Sequence, residues 1–130
     1  MPSIFTKILS GEISCHRLYE DQKYFAFLDI RPINPGHTLV IPKEEVDYFF
    51  DLDDSSLAGI MSLSKKIAHA LKKAVPCKKV GIMVAGLEVA HAHIHLVPLI
   101  ESVHELSFSK AKPASQEELK SMGEKIRRYL

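Results

Sequence analysis

Between positions 91 and 95 the chain reads His91-Ala92-His93-Ile94-His95, so three of its seven histidines alternate with small or apolar residues. Imidazole titrates nearer neutrality than any other side chain, and its nitrogens can give a proton, take one, ligate a metal or attack an electrophile. In an extended chain alternate side chains share a face, roughly 6.6–6.8 Å apart. His91, His93 and His95 are therefore expected on one face, with Ala92, Ile94 and Leu96 turned the other way onto a packed helix. Three charged rings so close would repel, so mostly neutral rings are expected unless an anion is bound. Such a row has three possible uses. It can be a half-exposed sheet face without chemistry. It can be a set of transition-metal ligands, with His37 as a fourth. Or one imidazole can attack phosphorus while its neighbours relay protons and hold phosphate oxygens. Strand parity favours the third use, because it gives a central ring, His93, a partner on each side.

The elements that must position this row are legible from periodicity. Ile4, Phe5, Ile8 and Leu9 have helical spacing and stop near Ser10-Gly11. Residues 18–20 and 24–30 read as strands joined at Asp21-Gln22, and residues 37–41 as a β-branched strand closed by Pro42. A short helix is expected over 44–50. The longest apolar stripe, Leu57, Ile60, Met61, Ile67, Ala68, Leu71, Ala74 and Val75, predicts a helix over 54–75. Asp53, Asp54 and Ser55 offer N-cap oxygens, Lys72 and Lys73 suit its C-terminal dipole, and Pro76 ends it. Strands follow over 80–84 and 91–100, with a tight connection at Gly86. Ser115 and Glu118 form a capping box ahead of Leu119, Met122, Ile126 and Tyr129. With no repeated βαβ pattern, the expected class is antiparallel α+β.

The whole composition narrows the uses further. The chain has 130 residues, 46% of them hydrophobic, with 17 Lys plus Arg against 16 Asp plus Glu, a formal charge of +1. That balance suits one soluble domain and leaves no basic excess for coating nucleic acid. No apolar run approaches the ~18–20 residues of a membrane span, and the N-terminus lacks the apolar core of a signal peptide. Cys15 and Cys77 match no metal spacing and point to reduced thiols in a cytoplasmic setting.

The segment His91-Ala92-His93-Ile94-His95-Leu96-Val97-Pro98 resembles the signature of the histidine triad (HIT) superfamily. The likeness extends through Ile4-Phe5-Thr6-Lys7-Ile8, Gly11-Glu12-Ile13, Phe25 to Ile30, Pro32, Pro35-Gly36-His37 and Leu39 to Pro42. It implies one HIT-like domain over 1–130, with a core at about 4–99 and a variable extension over 100–130. It also implies a homodimer formed through the strand and helix that precede the triad. The implied activity is a purine nucleotide hydrolase or nucleotidyl transferase acting at the α-phosphate of phosphoramidates, esters or anhydrides. His93 would be the nucleophile, with a backbone carbonyl holding its other nitrogen. His95 would bond phosphate oxygens, and His91 with His37 would complete the polar relay. Asp29 would accept from ribose hydroxyls, and Ile4, Phe5, Ile8, Ile13 and Phe27 would form the slot for the base. No cofactor or metal is required by this scheme.

By spacing alone, Asp29 could instead cap its loop, His37 could be a turn residue, and Ile4, Phe5 and Ile8 suit a core as well as a pocket. His16, His69 and His104 read as surface or cap residues, and Lys65, Lys66, Lys72 and Lys73 as the wet face of the long helix. Two departures from the family pattern matter. Ala85 and Glu88 stand where relatives carry an Asn and a small hydroxyl or Gln serving phosphate or leaving group, which keeps a nucleotide-binding module with little turnover open. Ser3 and Thr6 stand where several relatives carry a zinc-binding Cys-x-x-Cys, so no structural zinc is expected.

Overall fold

The computed structural model describes residues 2–130. Its elements are α1 (Ile4–Leu9), β1 (Arg17–Glu20), β2 (Tyr24–Leu28), β3 (Thr38–Pro42), α2 (Asp54–Ala74), β4 (Lys79–Met83), β5 (Ile94–Leu99) and α3 (Gln116–Arg127). The strands form one sheet in the order β1-β2-β3-β5-β4, and every pairing is antiparallel. The α+β class expected from the sequence is the class observed.

Local chemistry sets the ends of these elements. Asp21 Oδ1 accepts the backbone N–H groups of Lys23 and Tyr24, both at 2.8 Å, and so closes the β1–β2 turn. Asp53 caps α2 by accepting from Ser56 N–H at 2.7 Å, and Ser115 with Glu118 forms the capping box of α3. Gly36 has φ +92°, and a Cβ there would meet Val75, Pro98 and Leu71 side chains at 3.0–3.4 Å. Only glycine suits that turn, and it leads directly into His37.

Period-two alternation then sorts the sheet into two faces. Tyr24, Ala26, Leu28, Val40, Ile94 and Leu96 pack with Ile60, Leu63, Ile67 and Leu71 of α2 in one buried cluster. Leu119 and Ile126 of α3 belong to the same cluster, so the C-terminal helix completes the core. Ile60, Ile67 and Leu71 are wholly buried, each contributing about 1.5–3 kcal/mol. The opposite face gathers Phe25, Phe27, Leu39 and Ile41 under Phe5 of α1. His95 pairs with Leu39 across β3–β5, and Leu39 with Phe27 across β2–β3. The register therefore delivers His95 to the α1 face.

Three expectations need correction. The final strand begins at Ile94, so His91, Ala92 and His93 lie outside the ladder. Their backbone is engaged elsewhere: Ala92 N–H donates to Val46 O at 2.7 Å. The helix expected over 44–50 is an irregular stretch with only a 3-10 turn at Phe49–Asp51. Its carbonyl at Val46 serves Ala92, and Pro42 O serves the His91 ring, which ties this stretch to the triad segment. The connection between the last two strands is not tight; it runs from Val84 to His93, with Gly86 at φ +76°. The other expected boundaries agree within two residues.

Candidate active site

Five elements converge on the α1 face. β5 supplies His95, the stretch before it supplies His91 and His93, and the turn after Gly36 supplies His37. The end of β2 supplies Asp29, and α1 supplies Phe5. His37 and His91 are 1% and 0% exposed, and His93 and His95 are 5% and 6%. The rings touch edge to face. Phe5 and His93 centroids are 5.0 Å apart, His93 and His95 4.9 Å, and Phe5 and His91 5.7 Å. A cleft of about 590 Å³ opens beside them, lined by Ile4, Phe5, Asp29, Leu39, His93 and His95 among others.

A neutral imidazole has one ring proton, and the fixed partners decide which nitrogen holds it. His93 Nδ1–H donates to the His91 carbonyl at 2.7 Å. A carbonyl can only accept, so the proton sits on Nδ1 and Nε2 keeps its lone pair. Ile33 N–H donates to His37 Nδ1 at 3.0 Å, which puts the His37 proton on Nε2. That proton goes to His95 Nδ1 at 2.9 Å, leaving His95 with its N–H at Nε2. His91 Nε2–H donates to Pro42 O at 2.8 Å, and its Nδ1 accepts from Ser3 Oγ–H at 2.8 Å. The outcome is one bare ring nitrogen on His93 beside one ring N–H donor on His95.

Burial keeps His37, His93 and His95 neutral. Desolvation holds His37 and His93 below the ordinary imidazole value, although the nearby Asp29 carboxylate pulls both the other way. His95 falls furthest, to about 3, through burial first and then the proximity of His93 and His37. Asp29 splits its carboxylate between two tasks. Oδ1 accepts Arg31 N–H at 2.9 Å and caps the loop, while Oδ2 lies 3.6 Å from His37 Nε2 beside the cleft.

Ligand atoms of Asp29, His37 and His95 lie within 4.8 Å of one another, which raises the question of a metal. The donor set does not fit one. His37 Nδ1 is taken by Ile33 N–H and its Nε2 holds the remaining proton, so ligation would demand an imidazolate. The N-terminal corner is no better suited to zinc. There Ser3 Oγ is spent on His91, and Thr6 Oγ1–H donates to Glu45 Oε1 at 2.6 Å.

Of the residues expected in the site, His37, His91, His93, His95, Asp29, Ile4 and Phe5 are brought together. Phe27 is buried beneath Phe5, ring centroids 5.6 Å apart, and supports the slot from below. Ile8 and Ile13 line an adjoining hollow with Cys15 and Phe25. Phe108, which sequence reasoning missed, packs edge to face on His95 with ring centroids 4.9 Å apart, in the same cleft as Arg31, Val89 and Ala111. It is placed by a C-terminal segment strapped to the 30–34 loop. Ala114 N–H donates to Ile30 O, Lys112 N–H to Pro32 O, and Asn34 Nδ2 to both Pro98 O and Glu105 Oε1. The capping pattern Ser102 to Glu105 was the available signal for this strap.

The HIT domain family matches residues 10–102 of this chain. The chain is 37% identical over 132 residues to an adenosine 5′-monophosphoramidase of Schizosaccharomyces pombe, covering 97% of this chain and 96% of that protein. A HIT-like protein of Bartonella henselae superposes with a TM-score of 0.87 at 35% identity, covering 98% and 96% of the two chains. A hypothetical histidine triad nucleotide-binding protein of Sulfolobus tokodaii gives 0.87 at 29% identity, covering 97% and 90%. The alternating histidines, the sheet that aligns them and these matches across nearly the whole length lead to one conclusion: the chain belongs to the HIT, or histidine triad, family.

Proposed function

We propose that the protein cleaves purine nucleotide phosphoramidates, esters or anhydrides at the α-phosphate, through a nucleotidyl intermediate on His93. One observation supports this above the rest: the bare Nε2 of His93 and the Nε2–H of His95 belong to one cleft, as nucleophile and phosphate donor must. In the first step His93 Nε2 forms a bond to phosphorus as the bond to the leaving group breaks. A leaving amine takes up a proton at the open mouth of the cleft. The ring becomes positive, and the His91 carbonyl on Nδ1–H stabilises that charge. His95 Nε2–H donates to a phosphoryl oxygen. In the second step water, or another acceptor, attacks phosphorus and gives up its proton to solvent at the cleft mouth, the P–N bond to His93 breaks, and the nucleotide leaves. Asp29 Oδ2 accepts from ribose hydroxyls, and Ile4 and Phe5 flank the base, with Phe27, Ile8 and Ile13 behind them.

The reading is tested by hydrolysis of an adenosine 5′-phosphoramidate with metal-free wild type beside His93→Ala, followed by intact mass. Turnover and a nucleotidyl adduct in wild type alone are expected. A second reading, a nucleotide-binding module, draws on Ala85 and Glu88. Both line the cleft, where Ala85 offers no donor and Glu88 brings negative charge toward phosphate. Nucleotide binding by wild type with no hydrolysis above His93→Ala would decide for that module and against catalysis.

We further infer a homodimer through β4 and α2. β4 is an edge strand of the sheet, and Ile82, Val84 and Met61 are 40–49% exposed there. The half-buried free thiols of Cys15 and Cys77 accord with a cytoplasmic setting.

A further inference from the structure

We propose that Ser3, held in place by Glu45, is a positioning residue for the nucleophile: its hydroxyl fixes His91, whose carbonyl fixes the Nδ1–H of His93. This rests on the catalytic reading of His93 and extends it to residues that never touch substrate.

The starting point is that residues 91–93 stand outside the sheet ladder, so nothing in strand pairing holds the carbonyl on which the His93 tautomer depends. Three contacts replace the ladder: His91 Nε2–H on Pro42 O at 2.8 Å, Ala92 N–H on Val46 O at 2.7 Å, and Ser3 Oγ–H on His91 Nδ1 at 2.8 Å. His91 is wholly buried, so its Nδ1 needs a donor, and Ser3 is the partner it has.

The Ser3 hydroxyl hydrogen has two acceptors in reach, and His91 Nδ1 at 2.8 Å is much the closer, Thr6 Oγ1 lying at 3.3 Å. Thr6 N–H donates to Ser3 Oγ at 3.0 Å, and Thr6 Oγ1–H is spent on Glu45 Oε1 at 2.6 Å. Ser3 N–H also donates to Glu45 Oε1 at 2.6 Å. One carboxylate oxygen thus gathers two short bonds from the N-terminal turn, both charge-assisted. Those two bonds, the Ser3 amide first, hold the Glu45 carboxyl down at about 2, so the clasp stays charged throughout the neutral range. Glu45 lies next to Val46, so residues 42–46 hold the His91 ring through Pro42 O, the Ala92 amide through Val46 O and Ser3 through Glu45. Ser3 is in turn the N-cap of α1, the helix carrying Ile4 and Phe5. One hydroxyl therefore references both the cleft wall and the nucleophile to the same bracket.

A cap that serves α1 alone would leave the chemistry of His93 untouched, and Ser3→Gly separates the two roles. Glycine is nearly as good an N-cap as serine but offers no hydroxyl. Expected in Ser3→Gly is a fall in kcat of roughly 10- to 100-fold on the phosphoramidate with KM little changed, since the nucleophile is misaligned while the cleft remains. Ser3→Thr, which keeps the hydroxyl, restores kcat. Long-range 1H–15N spectra of the imidazoles give a readout independent of turnover. In wild type His93 carries its proton on Nδ1; in Ser3→Gly its two nitrogens move toward averaged shifts, and in Ser3→Thr they return. An unchanged His93 tautomer in Ser3→Gly overturns the proposal whatever the rate does. A wild type that shows the tautomer change on Ser3→Gly but never hydrolyses the phosphoramidate leaves the positioning role standing and removes the catalytic reading instead.

Discussion

His37, His91 and His93 have their protons placed by partners that cannot exchange roles, the His91 and Pro42 carbonyls accepting and the Ile33 amide giving, and His37 passes its placement on to His95. Burial holds His37, His93 and His95 neutral, and that neutrality has a consequence for stability. In the unfolded chain His37, His93 and His95 regain an ordinary pKa near 6.5, while in the fold all three lie lower and His95 falls to about 3. Below pH 6.5 the unfolded state therefore binds more protons, so stability is fully present above 6.5 and falls as pH drops toward the folded values. Each ring kept neutral forfeits about 1.4 kcal/mol per pH unit in that window. Urea unfolding is expected to show a lower midpoint at pH 5 than at pH 7.5, and His95→Asn to flatten part of the difference. A midpoint that does not move would mean the rings charge freely in the fold.

At the scale of elements, the fold places its helices by leaving room as much as by filling it. Gly59 lies within α2, where a Cβ would come 2.0 Å from Tyr24 Oη and 2.8 Å from Cζ. Tyr24 Oη–H itself donates to Ser56 O at 3.1 Å and so fastens β2 to the helix. Gly59→Ala must push the ring or the helix aside, at a cost of about 1–3 kcal/mol. Equilibrium denaturation of this variant should show a lower midpoint with an unchanged slope, and Tyr24→Leu in the same chain should relieve part of the loss. Periodicity had located α2 to within a residue because its stripe is long and its ends are marked by Asp53 and Pro76. It could not say which apolar residue faced the tyrosine, since that depends on the helix's rotation against the sheet.

For the whole molecule, the sheet ends in β4, whose outer edge has no strand beside it among the described residues. An exposed edge with Ile82 at 45% and Val84 at 40% exposure is a template for a second copy. Ile82→Lys places a desolvated charge at the centre of such a pairing and should shift the inferred dimer to monomer in light scattering, with its helical content retained. A wild type that is monomeric at the same concentration would remove the dimer inference. The C-terminal segment belongs to the same scale. It completes the core through Leu119 and Ile126 and carries Phe108 onto His95, although nothing in its local pattern connects it to the triad.

By itself the sequence determined the antiparallel α+β class, the long helix, the two capped helix starts and the grouping of His91, His93 and His95. All of these follow from local rules: period, cap chemistry and the alternation of side chains along an extended chain. The placement of Asp29 beside the triad was legible only through family resemblance, and that of His37 otherwise only as a fourth ligand in a metal reading. Only the tertiary structure decided which nitrogen of each ring carries the proton, because those protons are fixed by the Pro42 carbonyl and the Ile33 amide, backbone groups that no side-chain pattern announces. The same is true of the end of the ladder at Ile94, of Phe108 and of Ser3. Ser3 meets His91 across 88 positions of chain, a distance over which only the packed sheet and α1 can bring two side chains to 2.8 Å.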